Sequence, residues 1–243
     1  MTRWSKGLVL IGMMLFIAHT LFAQQHHNIW LRSTLSFPVN NKIKFDGEFQ
    51  HRRQEGFDNH NVFDKNLMFS YRNWVHFQYH KDIKFSVSPF AYFSNYKIIQ
   101  TASDATAQPK DEIRFSISME VQKEIVKKFF GVFRAAPEYR MLSNPTIDVI
   151  RWRNRFGLRY DLSKKLKVGI YNEHLFNVAG VTKAHFFDQN RVGLNVEFKA
   201  TSNIKFDFGY LHLTRLPLKS NAKLYENDLF FNFTYLIQRH QGV

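Results

Sequence analysis

From Asn28 almost to the C-terminus the chain alternates apolar and polar residues, as in Ile204-Lys-Phe-Asp-Phe-Gly-Tyr210 and Leu229-Phe-Phe-Asn-Phe-Thr-Tyr235. A period of two places successive side chains on opposite faces of a β-strand, so each segment has one face for apolar and one for polar surroundings. No segment after residue 23 carries the period of a long amphipathic helix, and the chain is therefore all-β.

The alternating segments are Asn28 to Phe37, Lys42 to Arg52, Asp64 to Tyr79, Ile83 to Ile99, Glu112 to Val126, Phe129 to Leu142, Asp148 to Leu162, Leu166 to Val178, Phe186 to Lys199, Ile204 to Leu216 and Tyr225 to Ile237. They run 10 to 17 residues, whereas strands of a soluble sandwich have about five or six. Such lengths suit tilted strands that cross a bilayer. Connections at Pro38 to Asn41, His80 to Asp82, Lys127 to Lys128, Ser163 to Lys165 and Ala200 to Asn203 are short, and those between them are mostly longer. The expected fold is a transmembrane antiparallel up-and-down β-barrel of about 10 to 12 strands with a charged lumen. Eleven segments conflict with the even strand number of single-chain bacterial barrels. The sequence leaves two resolutions: one long segment is split, or Asn28 to Phe37 is not a strand.

Residues 1–23 have a cationic start at Arg3 and Lys6, an apolar run from Gly7 to Phe22 and Ala23 before Gln24. That pattern predicts a cleaved secretory signal, because an apolar run of about 16 residues is shorter than the roughly 20 that span a bilayer. Residues 24–243 then form a single barrel domain. Arg3 and Lys6 are two of 34 basic residues, and the other 32 face 20 acids. The chain has no cysteine, which excludes disulfides, thiolate metal sites and a lipoprotein anchor.

The charges divide by face. Along the segment from Asp148, Arg151, Arg153, Arg155 and Arg159 alternate with Ile150, Trp152, Phe156 and Leu158. Glu112, Arg114 and Glu120 alternate with Ile113, Phe115 and Met119, and Arg191 and Glu197 with Val192 and Val196. A cation on the lipid face at mid-bilayer costs about 2 to 4 kcal/mol, so the charged faces line a lumen. Reflection about the connections sets Glu120 opposite Arg134, Glu138 near Arg151, Arg153 near Glu173, Glu173 near Arg191 and Glu197 against Lys205. With Arg140 on the same face, these residues are expected to form an inward ion-pair network. Asn73, Asn154, Asn172 and His174 fall on the outward phase.

The order Glu112-x-Arg114, Arg134-x-x-x-Glu138-x-Arg140, Arg151-x-Arg153-x-Arg155, Tyr171-x-Glu173, Gln189-x-Arg191 and Gly209-Tyr210, after Trp30 and Glu48-x-x-x-Arg52, resembles the outer-membrane barrel family catalogued as domain of unknown function 2490. The resemblance covers nearly the whole mature chain. It implies a single barrel in the outer membrane of a Gram-negative bacterium, with no assigned activity.

Two functional readings follow. Thirteen inward cations against nine acids favour anions if water passes, and arginine tracks facing across a lumen resemble those of barrels that admit acidic saccharides. Alternatively Arg and Glu fill a narrow barrel by pairing and leave no channel. A second class is a lipid-modifying enzyme, a lipase or acyl transferase, for which His174 and His212 have the outward phase but no serine stands at a matching depth. No cofactor is expected, and His26-His27 lacks a third metal ligand. The basic charge is interleaved with acids on an interior face, which speaks against nucleic acid. Expected partners are outer-membrane lipids, small anions or acidic saccharides in the lumen, and the barrel-assembly machinery. Lys42, Lys127, Lys128, Lys164, Lys165 and Lys167 gather near the short turns, where phosphate headgroups would lie.

Overall fold

The computed structural model describes residues 25–143, 146–218 and 220–237. The expected signal at 1–23 lies outside them. Eleven strands follow in order: β1 Gln25–Pro38, β2 Ile43–Gln54, β3 Lys65–His80, β4 Ile83–Asn95, β5 Lys110–Val126, β6 Phe129–Ser143, β7 Thr146–Asp161, β8 Leu166–Ala179, β9 Phe187–Lys199, β10 Ile204–Arg215 and β11 Leu224–Leu236. Each strand pairs with its sequence neighbours, and β1 closes the barrel against β11.

That closure corrects the even strand count. No segment is split and the first is a strand. Ten neighbouring pairs are antiparallel, and β1 runs parallel to β11 from Gln25↔Tyr225 to Ser36↔Leu236. An odd number of alternating strands leaves the first and last pointing the same way, so closure must be parallel. Gln25 consequently stands at the end of the barrel that carries the longer loops, and Leu236 at the end with the short turns. The fourth segment also stops early, at Asn95. Ile98 and Ile99 are then buried in the β4–β5 loop, where the Ile99 N–H donates to Gln54 Oε1 at 3.2 Å.

The barrel is inside-out compared with a soluble protein. Trp152 is 38% and Phe156 57% exposed, while Arg151, between them and the loop end, is 2% exposed. Leaving the exterior rings and branched chains in water would expose a large apolar surface, whereas a bilayer covers it. Closure also removes the unpaired strand edges that hydrocarbon cannot solvate. Asn154, Asn172 and His174 find polar partners on the exterior: Asn190 Nδ2 lies 2.9 Å from Asn172 Oδ1 and 3.1 Å from His174 Nδ1, and the Trp152 indole donates to Asn154 at 2.9 Å.

Candidate functional site: a lumen filled at one end and open at the other

The inward side chains of β5 to β9 form one continuous chain of ion pairs. Glu112 bridges Arg114 at 2.6 Å and Arg140 at 2.5 Å. Asp188 reaches Arg140 at 4.0 Å and Arg151 at 2.8 Å. Glu138 takes Arg151 at 2.5 Å, Arg153 at 2.8 Å and, across the lumen, Arg72 at 3.6 Å. Glu173 takes Arg153 at 2.8 Å, Arg155 at 3.3 Å and Arg191 at 3.4 Å. The four acids thus share seven arginines. A guanidinium offers five N–H groups in a planar fork, so one arginine can serve two carboxylates, as Arg153 does.

The strand phase puts all twelve residues expected in the lumen network on the inward face, but it does not bring all of them together. Glu120 and Arg134 are opposite across β5–β6, yet Glu120 pairs with Lys84 at 2.8 Å instead. Glu197 sits apart, near the turns, between Lys167 at 3.0 Å and Lys205 at 3.2 Å. Lys167 is therefore a lumen residue as much as a turn residue. Arg155, rather than Arg153, faces Glu173 across β7–β8; Arg153 reaches it diagonally.

Sequence periodicity counts Asp228 among the nine inward acids but misses Asp188 and Glu226. Asp188 has the outward phase by simple alternation, but the β8–β9 register jumps between Leu175↔Gln189 and Phe176↔Phe187, and the extra residue turns inward. Glu226 and Asp228 on β11 are fully buried; Asn28 Nδ2 donates to both, at 2.9 and 2.7 Å, and Arg215 pairs with Glu226 at 2.8 Å. The inward wall of β4 and β5 is serine: Ser86 faces Ser118 and Ser88 faces Ser116. These small residues leave room for Arg72 and Arg134, both of which lie within 5.6 Å of the Trp74 ring. Gly193 is small for a similar reason, since a Cβ there would meet the Tyr171 ring at 2.4 Å.

Filling differs between the two halves. Toward the loops the inward residues Ser88, Ser116, Val149, Leu175, Leu213 and Asp228 are each 0% exposed. The β4–β5 loop folds onto this end, where Gln54 Nε2 donates to Lys97 O at 2.8 Å. A cavity of about 430 Å³ runs from Lys84, Gln122, Arg159 and Lys167 near the turns inward to Arg151, Arg114, Phe93, Arg52 and Trp30. Twelve Lys or Arg line it against five acids: Glu48, Glu120, Glu173, Glu197 and Asp207. Such a wall concentrates anions.

Of the histidines weighed for lipid chemistry, His174 contacts Asn190, and His212 Nδ1 lies 3.0 Å from Asn227 Oδ1. A Ser–His–Asp contact does occur, but in the lumen: His76 Nδ1 is 2.8 Å from Ser86 Oγ and His76 Nε2 is 3.1 Å from Asp46 Oδ2. Asp46 also accepts from Ser36 at 2.5 Å and pairs with Lys44 at 2.9 Å. His26 points inward and is buried, while His27 contacts Glu55 at 3.4 Å. Among the described residues no three His, Asp or Glu groups are placed to hold a metal ion.

No curated protein matches the sequence. Among solved structures, one described as a NanC porin is 9% identical, with 82% of this chain and 93% of that one covered at a TM-score of 0.49. One described as a bacterial polysaccharide outer membrane secretin is 11% identical, covering 80% and 64% at 0.46. The outer-membrane OmpT of Vibrio cholerae is 10% identical, covering 75% and 58% at 0.38. Residues 27–221 match the family described as protein of unknown function (DUF2490), which spans β1 to the loop after β10, and the chain belongs to that family.

Proposed function

We propose that this chain is an outer-membrane protein of a Gram-negative bacterium whose barrel presents a blind cationic vestibule to the turn side, where it receives anions of the small-ion or acidic-saccharide class. The observation that carries this reading is the division of the lumen. Twelve cations and five acids surround open volume that reaches the turns at Lys84, Gln122, Arg159 and Lys167, while toward the loops inward side chains such as Ser88, Ser116, Val149, Leu175 and Leu213 are out of reach of water. In outer-membrane barrels the short turns face the periplasm, which makes this a site filled from inside the cell envelope. Membrane lipids contact the exterior, and the assembly machinery inserts the barrel.

A binding role fits the polar contacts better than lipid chemistry does. Among the described residues His174 and His212 bond to the asparagines Asn190 and Asn227. Ser86 is 4% exposed, and its partner His76 leans on an Asp46 already shared with Ser36 and Lys44. Those groups complete the polar wall of the vestibule. Planar-bilayer recording of the purified protein tests the reading. A barrel blocked at the loop end gives no steady current; a steady anion-selective current would replace the blind vestibule with an open channel.

A further inference from the structure

We propose that an oxyanion, phosphate or carboxylate, binds at Arg134 on β6 and links it to Arg155 on β7. This deepens the vestibule reading and rests on it. The lumen contains two arginine pairs that stand directly opposite across a ladder, Arg114↔Arg140 on β5–β6 and Arg134↔Arg155 on β6–β7. Like charges directly opposite destabilise an antiparallel pair. In the first pair Glu112 sits between the guanidinium groups, 2.6 Å from one and 2.5 Å from the other. In the second no carboxylate does so. Glu173 holds Arg155 at 3.3 Å, and Glu120, which faces Arg134, is held by Lys84 at 2.8 Å. Among the described residues Arg134 makes no ion pair or hydrogen bond; its contact is the face of Trp74, with the guanidinium carbon 5.6 Å from the ring centre.

Arg134 is half-buried and lines the vestibule. A guanidinium withdrawn from bulk water with no carboxylate in contact is costly, and its five N–H groups need acceptors. The Nε of Arg155 is buried without a hydrogen-bond partner. Water can accept these hydrogen bonds but brings no charge to a wall where cations outnumber acids by twelve to five. A planar or tetrahedral oxyanion supplies both, because two of its oxygens fit the guanidinium fork. It would take, at Arg134 and Arg155, the place that Glu112 takes at Arg114 and Arg140. The cavity of about 430 Å³ is large enough for such an ion.

The test uses the folded protein in detergent micelles with inorganic pyrophosphate as one probe and citrate as the other, at matched ionic strength. Calorimetric titration gives affinity, and the temperature at which the compact gel band is lost gives stability. Binding of either probe to the wild type, with a rise in melting temperature, supports the site; the tighter probe tells phosphate from carboxylate. Arg134→Gln should weaken binding at least 10-fold and abolish the rise. Without probe this variant should melt no lower than the wild type, because a cation directly opposite Arg155 and in contact with no carboxylate has been removed. Arg134→Lys, which keeps the charge but loses the fork, should fall between. Equal affinity in the wild type and Arg134→Gln, no binding of either probe, or failure of Arg134→Gln to fold would each overturn the proposal. A silent bilayer with no binding removes only this site, whereas a conducting pore removes the vestibule reading whatever the titrations give.

Discussion

Glu173→Gln is the most informative single perturbation of the ion-pair chain. The carboxylate is 1% exposed and has three arginines within 3.4 Å. The amide keeps the shape and removes the charge. Arg153 retains Glu138 at 2.8 Å, but Arg155 and Arg191 lose the carboxylate that each of them contacts. Breaking a buried pair and orphaning its partner costs about 3–5 kcal/mol. Here the Arg155 side chain is 30% and the Arg191 side chain 12% exposed, so water shields part of the loss, and about 3 kcal/mol is expected; a fully wet site would lose under about 1 kcal/mol. The assay is heat-modifiability on gels, following the compact band against temperature. Glu124→Gln is the control, because Glu124 is exposed and accepts the Lys128 N–H at 2.7 Å, which an amide can still do. Glu173→Gln should melt well below the control. Adding Arg155→Gln should recover part of the loss by removing an orphaned cation. Coincident melting of Glu173→Gln and Glu124→Gln would refute the premise that Glu173 is a desolvated hub.

Two further outcomes are expected. The chain has no cysteine, so single spin labels can be placed cleanly: labels at 150, 152, 156 and 158 should be quenched by oxygen dissolved in lipid, and labels at 151, 153 and 155 should not; the opposite phase would mean that the arginines face hydrocarbon. In the β4–β5 loop, desolvation alone would raise the Asp104 pKa, but hydrogen bonds from Lys97 and from the Gln100 and Thr101 N–H groups outweigh it and hold the carboxyl down at about 2. A depressed carboxylate stabilises the fold above its unfolded pKa, so that contribution is present at neutral pH and is lost as pH falls from the usual value of 3.8 through about 2. Hydrogen exchange at Gln100 and Thr101, corrected for intrinsic rates, should lose protection across that window in the wild type, and Asp104→Asn should show low protection throughout; unchanged protection in the wild type would show that the carboxylate does not hold the loop.

The phase of nearly every strand is legible in the sequence because one charge on the wrong face is penalised and each strand carries several. Reflection about a connection also gives Glu138↔Arg151 and Glu173↔Arg191. It fails by two residues for Arg153 and Glu173: the β7–β8 ladder is regular from Asp161↔Lys167 through Arg155↔Glu173 and is centred on Lys164, one residue later than a pairing of Arg153 with Glu173 requires. Bulges have no signature in alternation, and Asp188 was hidden by one. The parallel closure is implicit in the count of eleven alternating segments and is obscured only by the even strand number expected of single-chain bacterial barrels. The uneven filling of the lumen depends on large side chains of β3 and β6 meeting over the serines of β4 and β5, as Arg134 meets Trp74, a contact between non-adjacent strands. Arg134 looked paired with Glu120 because register alone does not show that Lys84 reaches the carboxylate first.

The boundary between the open and filled halves can be measured along a single strand. Gln122, Ser118 and Ser116 share the inward face of β5; the first two line the cavity and Ser116, at 0% exposure, does not. Single Gln122→Cys, Ser118→Cys and Ser116→Cys variants would be treated, folded in micelles, with a small anionic thiol reagent that does not cross apolar barriers. A vestibule from which Ser116 is sealed predicts rapid modification at 122, slower modification at 118 and none at 116 until the barrel is unfolded. Modification at 116 as fast as at 122 would show a lumen open from end to end, and the blind vestibule would be wrong.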